Sequence, residues 1–245
     1  MKPWYALTLV FSLACASCDD PTFPTHVACI GDSITVGDGA STPQETYPAA
    51  LQGMLGQQVR VQMLGHSGAT ALGPGAGDLP YEAQPEYVEA SEFVSTAGAD
   101  ARVAAVIVLG TNDSKANNWD LPGRKERFIA DYGRLIDHFQ SLPTHPTVYV
   151  GLPPWAAKPA CCGVRGEILV KDIVPALRDL ALKRGLTVID LASKTEGHPE
   201  LLVDGVHPYD KGYELVADVV KNVVMGAPPR PQRQLPWWRH LPFMH

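Results

Sequence analysis

Five short apolar runs punctuate the chain, each closing on a glycine or a polar turn. They occupy residues 27–30, 59–64, 103–109, 147–150 and 187–191 and are rich in valine and isoleucine. Most are apolar at consecutive positions, the mark of strands buried on both faces of a parallel sheet. Between them apolar positions recur at helical spacing, over 47–55, 85–97, 124–140, 167–184 and 209–223. In the third of these Phe128, Tyr132, Leu135, Ile136 and Phe139 line up on one face, and in the fourth Ile168, Ile173, Leu177 and Leu180 do, with Gly185 as a stop. Strand–helix alternation of this kind predicts an α/β fold, a three-layer α/β/α sandwich around a central five-stranded parallel sheet. The glycine- and proline-rich stretch 73–80 is expected to be a flexible loop.

Length and charge narrow the picture. A chain of 245 residues, 45% hydrophobic and 19% charged, is long enough for one domain with a substantial core, assigned to 26–224. A net charge of −6 argues against nucleic acid as a partner. Residues 1–18 read as an export signal: Lys2 precedes an apolar run over 4–16 that is too short to span a bilayer. Such a signal implies an exported protein, periplasmic, lipid-anchored or extracellular. Cys18 offers two readings, the lipidated first residue of a membrane-anchored chain or part of an ordinary cleaved signal. Residues 225–245 form a Pro/Arg/Trp-rich tail in which proline density rules out a regular helix. Cys29 lies inside an apolar run and reads as a small core residue, whereas the adjacent Cys161 and Cys162 are either bridged or free and, with no second Cys/His pair at ligand spacing, make a poor zinc site by sequence.

The chemistry lies in four islands: Gly31-Asp32-Ser33-Ile34-Thr35, Gly65-His66-Ser67-Gly68, Gly110-Thr111-Asn112-Asp113 and Asp204-Gly205-Val206-His207-Pro208. The first three directly follow apolar runs. In an open parallel sheet such positions gather at one edge, beyond the carboxyl ends of the strands. Ser33 is the candidate nucleophile, and it needs a base because an unaided hydroxyl is a weak nucleophile. His207 is the candidate base, with Asp204 three residues earlier to hold one ring nitrogen. The Ser33 and Gly68 N–H groups and the Asn112 amide are candidate oxyanion donors. Asp32 and Asp113 read as braces of these loops. Asp32, Asp113 and Asp204 lack a histidine set for a metal, and the chemistry calls for no cofactor.

These islands resemble the four blocks of the SGNH hydrolases, the GDSL-like esterase and lipase superfamily. Ser33, Gly68, Asn112 and His207 match the four residues of the family's name, with Asp204 as the third member of the triad. The resemblance runs from about residue 26 to residue 224 and departs at Ile34-Thr35, where the family name has leucine. It implies a flavodoxin-like sandwich and a serine esterase working through an acyl-enzyme. The stretch Leu109 to Lys115, followed by Asn118-Trp119 and Asp131-Tyr132, is similar to bacterial carbohydrate O-acetylesterases. The implied substrate is a small acyl ester or an acetylated glycan, on which Trp119 and Trp155 would stack unless they merely pack. Two rivals stand beside this reading: a lysophospholipase, thioesterase or arylesterase of the same fold, and a non-catalytic carbohydrate-binding lipoprotein.

Overall fold

The computed structural model describes residues 23–226. The assigned export signal, Cys18 and tail residues 227–245 lie outside the described residues. Five strands form one sheet: β1 (His26–Gly31), β2 (Arg60–Gly65), β3 (Val103–Val108), β4 (Thr147–Leu152) and β5 (Thr187–Asp190). Their order is β2-β1-β3-β4-β5 and every pairing is parallel. Between β1 and β3 the order reverses direction, which opens a crevice beyond the strand ends there. The longer helices are α1 (Tyr47–Leu55), α2 (Pro85–Ser95), α3 (Arg124–Ser141), α4 (Val174–Lys183) and α5 (Asp210–Gly226).

Alternation along the strands divides the core in two. Ala28, Ile30, Ala105 and Ile107 face a layer holding Phe128, Tyr132, Leu135, Ile136, Phe139 and Leu177, from α3 and α4. Val27, Cys29, Val106 and Val108 face Tyr47, Leu51, Tyr213, Val216 and Val220, from α1 and α5. Cys29 is thus a fully buried core residue with a free thiol.

Two expectations need correction and a third needs refinement. The fourth strand runs on through Gly151 to Leu152, because Gly151 pairs with Val108 and the strand does not stop there. The helix expected over 167–184 is present without interruption over residues 166–183, but it carries a π turn at Leu169–Ile173 ahead of α4. Pro175 has no N–H to give to the carbonyl of Lys171, and Val174 reaches back five residues to Leu169 instead. The stretch 73–80 is not a flexible loop. The Gly73 N–H donates to Asp131 at 2.7 Å, the Asp78 N–H donates to Asn118 at 3.0 Å, and the Thr70 N–H donates to the Leu79 carbonyl at 2.9 Å. Glycine and proline specify the turns of this segment, while buried polar side chains elsewhere in the chain fasten it.

Candidate active site

The crevice begins where β1 ends. Asp32 N-caps a single helical turn, Ser33–Val36, its carboxylate accepting the Ile34 N–H at 3.0 Å. Ser33 therefore stands at the first helical position, where a backbone N–H has no acceptor within the helix. Its side chain points toward the loop preceding α5. There Ser33 Oγ lies 2.9 Å from His207 Nε2, and His207 Nδ1 lies 2.7 Å from Asp204 Oδ2. The other carboxylate oxygen accepts the N–H groups of Val206 and His207 at 3.0 and 2.8 Å. Burial pushes the Asp204 carboxyl up, but the His207 ring and these backbone donors outweigh it and hold Asp204 well below the usual carboxylate range. An ionised Asp204 only accepts, so Nδ1 carries the ring proton and Nε2 presents a lone pair to the Ser33 hydroxyl.

The second and third islands meet beside this chain of hydrogen bonds. Gly68 follows β2 with φ of +88°, and a Cβ there would come within 3.2 Å of a Leu79 methyl. Both the backbone angle and the close wall favour glycine. Asn112 opens a turn after β3 and is nearly buried; its amide donates to the Ala69 carbonyl at 3.1 Å, one residue past Gly68. An amide nitrogen has two hydrogens, so a second is available to a ligand. Asp113 locks the same two loops together, accepting the Ala71 and Leu72 N–H groups at 3.0 and 2.7 Å. Burial dominates its ionisation and pushes it up to about 7 despite those donors, and burial likewise pushes Asp32 up to about 6.

Ser33, Gly68, Asn112, Asp204 and His207 thus converge from four separate segments on one sheet edge. A hydroxyl aligned with an imidazole, itself aligned with a carboxylate, next to a buried amide, can deprotonate and deliver an oxygen nucleophile to an electrophilic carbonyl. Residues 29–215 match the GDSL-like Lipase/Acylhydrolase family. The chain belongs to that family.

This GDSL-like chain is similar to one curated relative in sequence and to several solved structures in fold. An acetylxylan esterase from Xylanibacter ruminicola is 31% identical over 215 residues, which cover 81% of this chain and 43% of that protein. The chain thus spans less than half the length of that relative. Among solved structures, a carbohydrate acetylesterase family member from Sinorhizobium meliloti superposes with a TM-score of 0.62 at 22% identity, over 83% of this chain and 100% of that one. An inhibitor-bound aryl esterase from M. smegmatis gives a TM-score of 0.60 at 21% identity, covering 81% and 98%. Both solved structures share the α/β architecture described above.

The Asn118-Trp119 and Asp131-Tyr132 stretches, noted in the sequence for their resemblance, brace the GDSL-like crevice. Asn118 is nearly buried; its amide nitrogen donates to the Asn112 carbonyl at 3.0 Å and to Asp78 at 2.8 Å. It ties the Asn112 turn to the segment carrying Leu79. Asp131, fully buried, accepts from Gly73, Arg127 and Arg134. Tyr132 donates to the Ile107 carbonyl in β3 at 2.9 Å. A polar residue on the apolar face of a helical pattern, as Asp131 is among Phe128, Tyr132 and Leu135, was the available signal. Trp119 packs edge-on against Phe128 with ring centroids 5.5 Å apart, so it serves the core. Trp155 is half-buried, in the segment after β4 that docks on the Asp204–His207 loop. Cys161 and Cys162 form a disulfide on the same segment.

Proposed function

We propose that the protein is an exported serine esterase that removes acetyl groups from carbohydrate esters. The observation that carries the reading is the unbroken chain Ser33 Oγ–His207–Asp204, at 2.9 and 2.7 Å, beside Gly68 and Asn112. His207 Nε2 takes the hydroxyl proton as Ser33 Oγ bonds to the ester carbonyl carbon. The carbonyl oxygen becomes an oxyanion held by the Ser33 and Gly68 N–H groups and the Asn112 amide. As the tetrahedral intermediate collapses, the bond to the sugar oxygen breaks and His207 returns its proton to that leaving oxygen. Water, deprotonated by the same nitrogen, then attacks the acyl-serine, and acetate leaves as Ser33 recovers its proton.

Support for an acetylated carbohydrate comes from the acetylxylan esterase relative, although the chain covers only 43% of its length. Trp155, half-buried on the segment that docks on the Asp204–His207 loop, is the candidate to stack on a sugar ring. Export rests on Lys2 and the apolar run at 4–16, with Cys18 as the candidate lipidation site. Mass analysis of the mature N-terminus after expression in a bacterium decides that part, since an unprocessed Met1 would refute export. For the chemistry, acetate release from a panel of acetylated xylans and mannans is measured for wild type and Ser33→Ala. Release by wild type with a loss of roughly 10⁴-fold or more in the variant is expected. Preference for long-chain over acetyl p-nitrophenyl esters would instead favour a lipid-directed enzyme, and glycan binding without turnover of any ester a binding protein.

A further inference from the structure

The segment after β4 is fastened to the Asp204–His207 loop through its backbone. The Ala157 N–H donates to the Gly205 carbonyl at 2.8 Å and the Cys161 N–H donates to the Asp204 carbonyl at 3.1 Å. Gly205 has φ of +84°, and a Cβ on it would fall 2.1 Å from the Pro159 carbonyl oxygen, so this close approach needs glycine. The result is that Cys161 Sγ lies 3.8 Å from His207 Nδ1. One sulfur, one imidazole nitrogen and one carboxylate oxygen of Cys161, His207 and Asp204 all lie within 4.8 Å of one another. None of the backbone contacts that place Cys161 there involves its sulfur, so they persist when the disulfide opens. Cys162 is exposed, so a reductant can reach the bridge.

We infer that reduction of the Cys161–Cys162 disulfide creates an inhibitory zinc site from Cys161, His207 and Asp204. A thiolate, a carboxylate and a neutral imidazole carry the donor types and the −2 charge that suit Zn²⁺, with a fourth position left to water. Zn–S and Zn–N bonds of roughly 2.3 and 2.0 Å in a tetrahedron separate sulfur and nitrogen by about 3.5 Å. The observed 3.8 Å needs only a small closure. Nitrogen and oxygen ligands of the same ion sit about 3.3 Å apart, against the 2.7 Å of the His207–Asp204 hydrogen bond. Metal and hydrogen bond therefore exclude each other. With zinc on Nδ1 the ring proton moves to Nε2, where it points at Ser33 and leaves no lone pair to accept the hydroxyl proton. The Cys161 thiol releases one proton as its sulfur binds the ion. In the disulfide neither sulfur is a thiolate, and the site lacks its soft ligand.

The test uses the full chain with a phosphine reductant, which passes two electrons to the disulfide and becomes the phosphine oxide with oxygen from water, leaving two thiols. Calorimetric titration with zinc chloride follows removal of the reductant without air. Reduced wild type is expected to bind one Zn²⁺ per chain, roughly 100-fold or more tighter than the disulfide form. Cys162→Ser, which cannot form the bridge, should bind zinc without any reductant, and Cys161→Ser should bind it under neither condition. With Co²⁺ as the probe, Cys162→Ser should show thiolate-to-cobalt absorption that Cys161→Ser lacks. Equal zinc affinity of reduced and disulfide wild type would overturn the inference, as would unchanged binding by a Cys161→Ser protein that melts like wild type. The inhibitory role rests on the esterase reading: zinc should suppress p-nitrophenyl acetate hydrolysis by Cys162→Ser and a chelator restore it. Bound zinc with undiminished hydrolysis would refute the inhibition, while absence of hydrolysis in every form, zinc-free wild type included, would refute the esterase reading and leave the zinc titration standing.

Discussion

Asp204→Asn changes one atom of the carboxylate and is expected to reverse the polarity of the whole relay. In the wild type Oδ2 accepts the ring N–H at 2.7 Å while Oδ1 accepts two backbone N–H groups at 3.0 and 2.8 Å. Asparagine has one acceptor. Turning its oxygen to His207 Nδ1 would set its NH₂ against two backbone donors, sacrificing two hydrogen bonds at about 1 kcal/mol or more each. The oxygen therefore stays on the backbone and the NH₂ faces Nδ1. Nδ1 must then accept, the ring proton sits on Nε2, and the nitrogen facing Ser33 can no longer take its proton. A wrong tautomer at a serine–histidine pair lowers turnover by roughly 10⁴-fold, about 5.5 kcal/mol of transition-state stabilisation. The assay is kcat/KM for p-nitrophenyl acetate, with a thermal melt at neutral pH to confirm folding. A folded variant within tenfold of wild type would refute the assignment of Asp204. The melts carry a second signature. A carboxyl held below its unfolded value stabilises the fold above about pH 4 and loses that contribution as pH falls further. The acid limb of the stability profile should therefore be shallower in Asp204→Asn.

Removing the Asn112 amide with Asn112→Ala should cut kcat by roughly 10²–10³-fold with little change in KM, as for other oxyanion donors; steady-state kinetics check this, and an effect confined to KM would contradict it. Asp113, pushed up to about 7 by burial, holds its proton more tightly folded than unfolded. Its contribution to stability is full below about pH 4 and is lost as pH rises through 7. Tm should therefore fall between pH 5 and 8, and Asp113→Asn, less stable at pH 5 through the lost acceptor, should show a flatter profile by differential scanning fluorimetry. Trp155→Ala should raise KM for an acetylated xylooligosaccharide while leaving p-nitrophenyl acetate hydrolysis nearly unchanged; equal losses on both substrates would remove Trp155 from sugar binding. Phe128→Ala, emptying a fully buried ring site, should cost about 3–5 kcal/mol in urea unfolding.

Much of this architecture is legible in the sequence because its signals are local. Continuous apolar runs such as 103–109 mark strands covered on both faces, and the residue after each run falls at a known edge of the sheet. That logic is enough to bring Ser33, Gly68 and Asn112 together before any coordinates. It fails where the determinant is a partner far along the chain. The 73–80 segment has the composition of a mobile loop, yet it is held by Asp131 and Asn118, more than 35 residues away in each case. The π turn before α4 is tied to a missing N–H at Pro175 that apolar periodicity does not register. The closeness of Cys161 to His207 depends on two backbone hydrogen bonds and a glycine, none of which has a sequence signature of its own. Under the proposed esterase reading, recognition of the leaving group falls to such loops, which is why the reaction class is far more legible than the substrate.

The central claim is that Ser33, activated by His207, forms the covalent bond to the acyl group. Labelling with a fluorophosphonate, followed by peptide mass mapping, tests it most directly. One adduct per chain on the peptide containing Ser33, abolished in Ser33→Ala and greatly slowed in His207→Ala, is expected. An adduct on another residue, or ester hydrolysis that continues at full rate in Ser33→Ala, would contradict it.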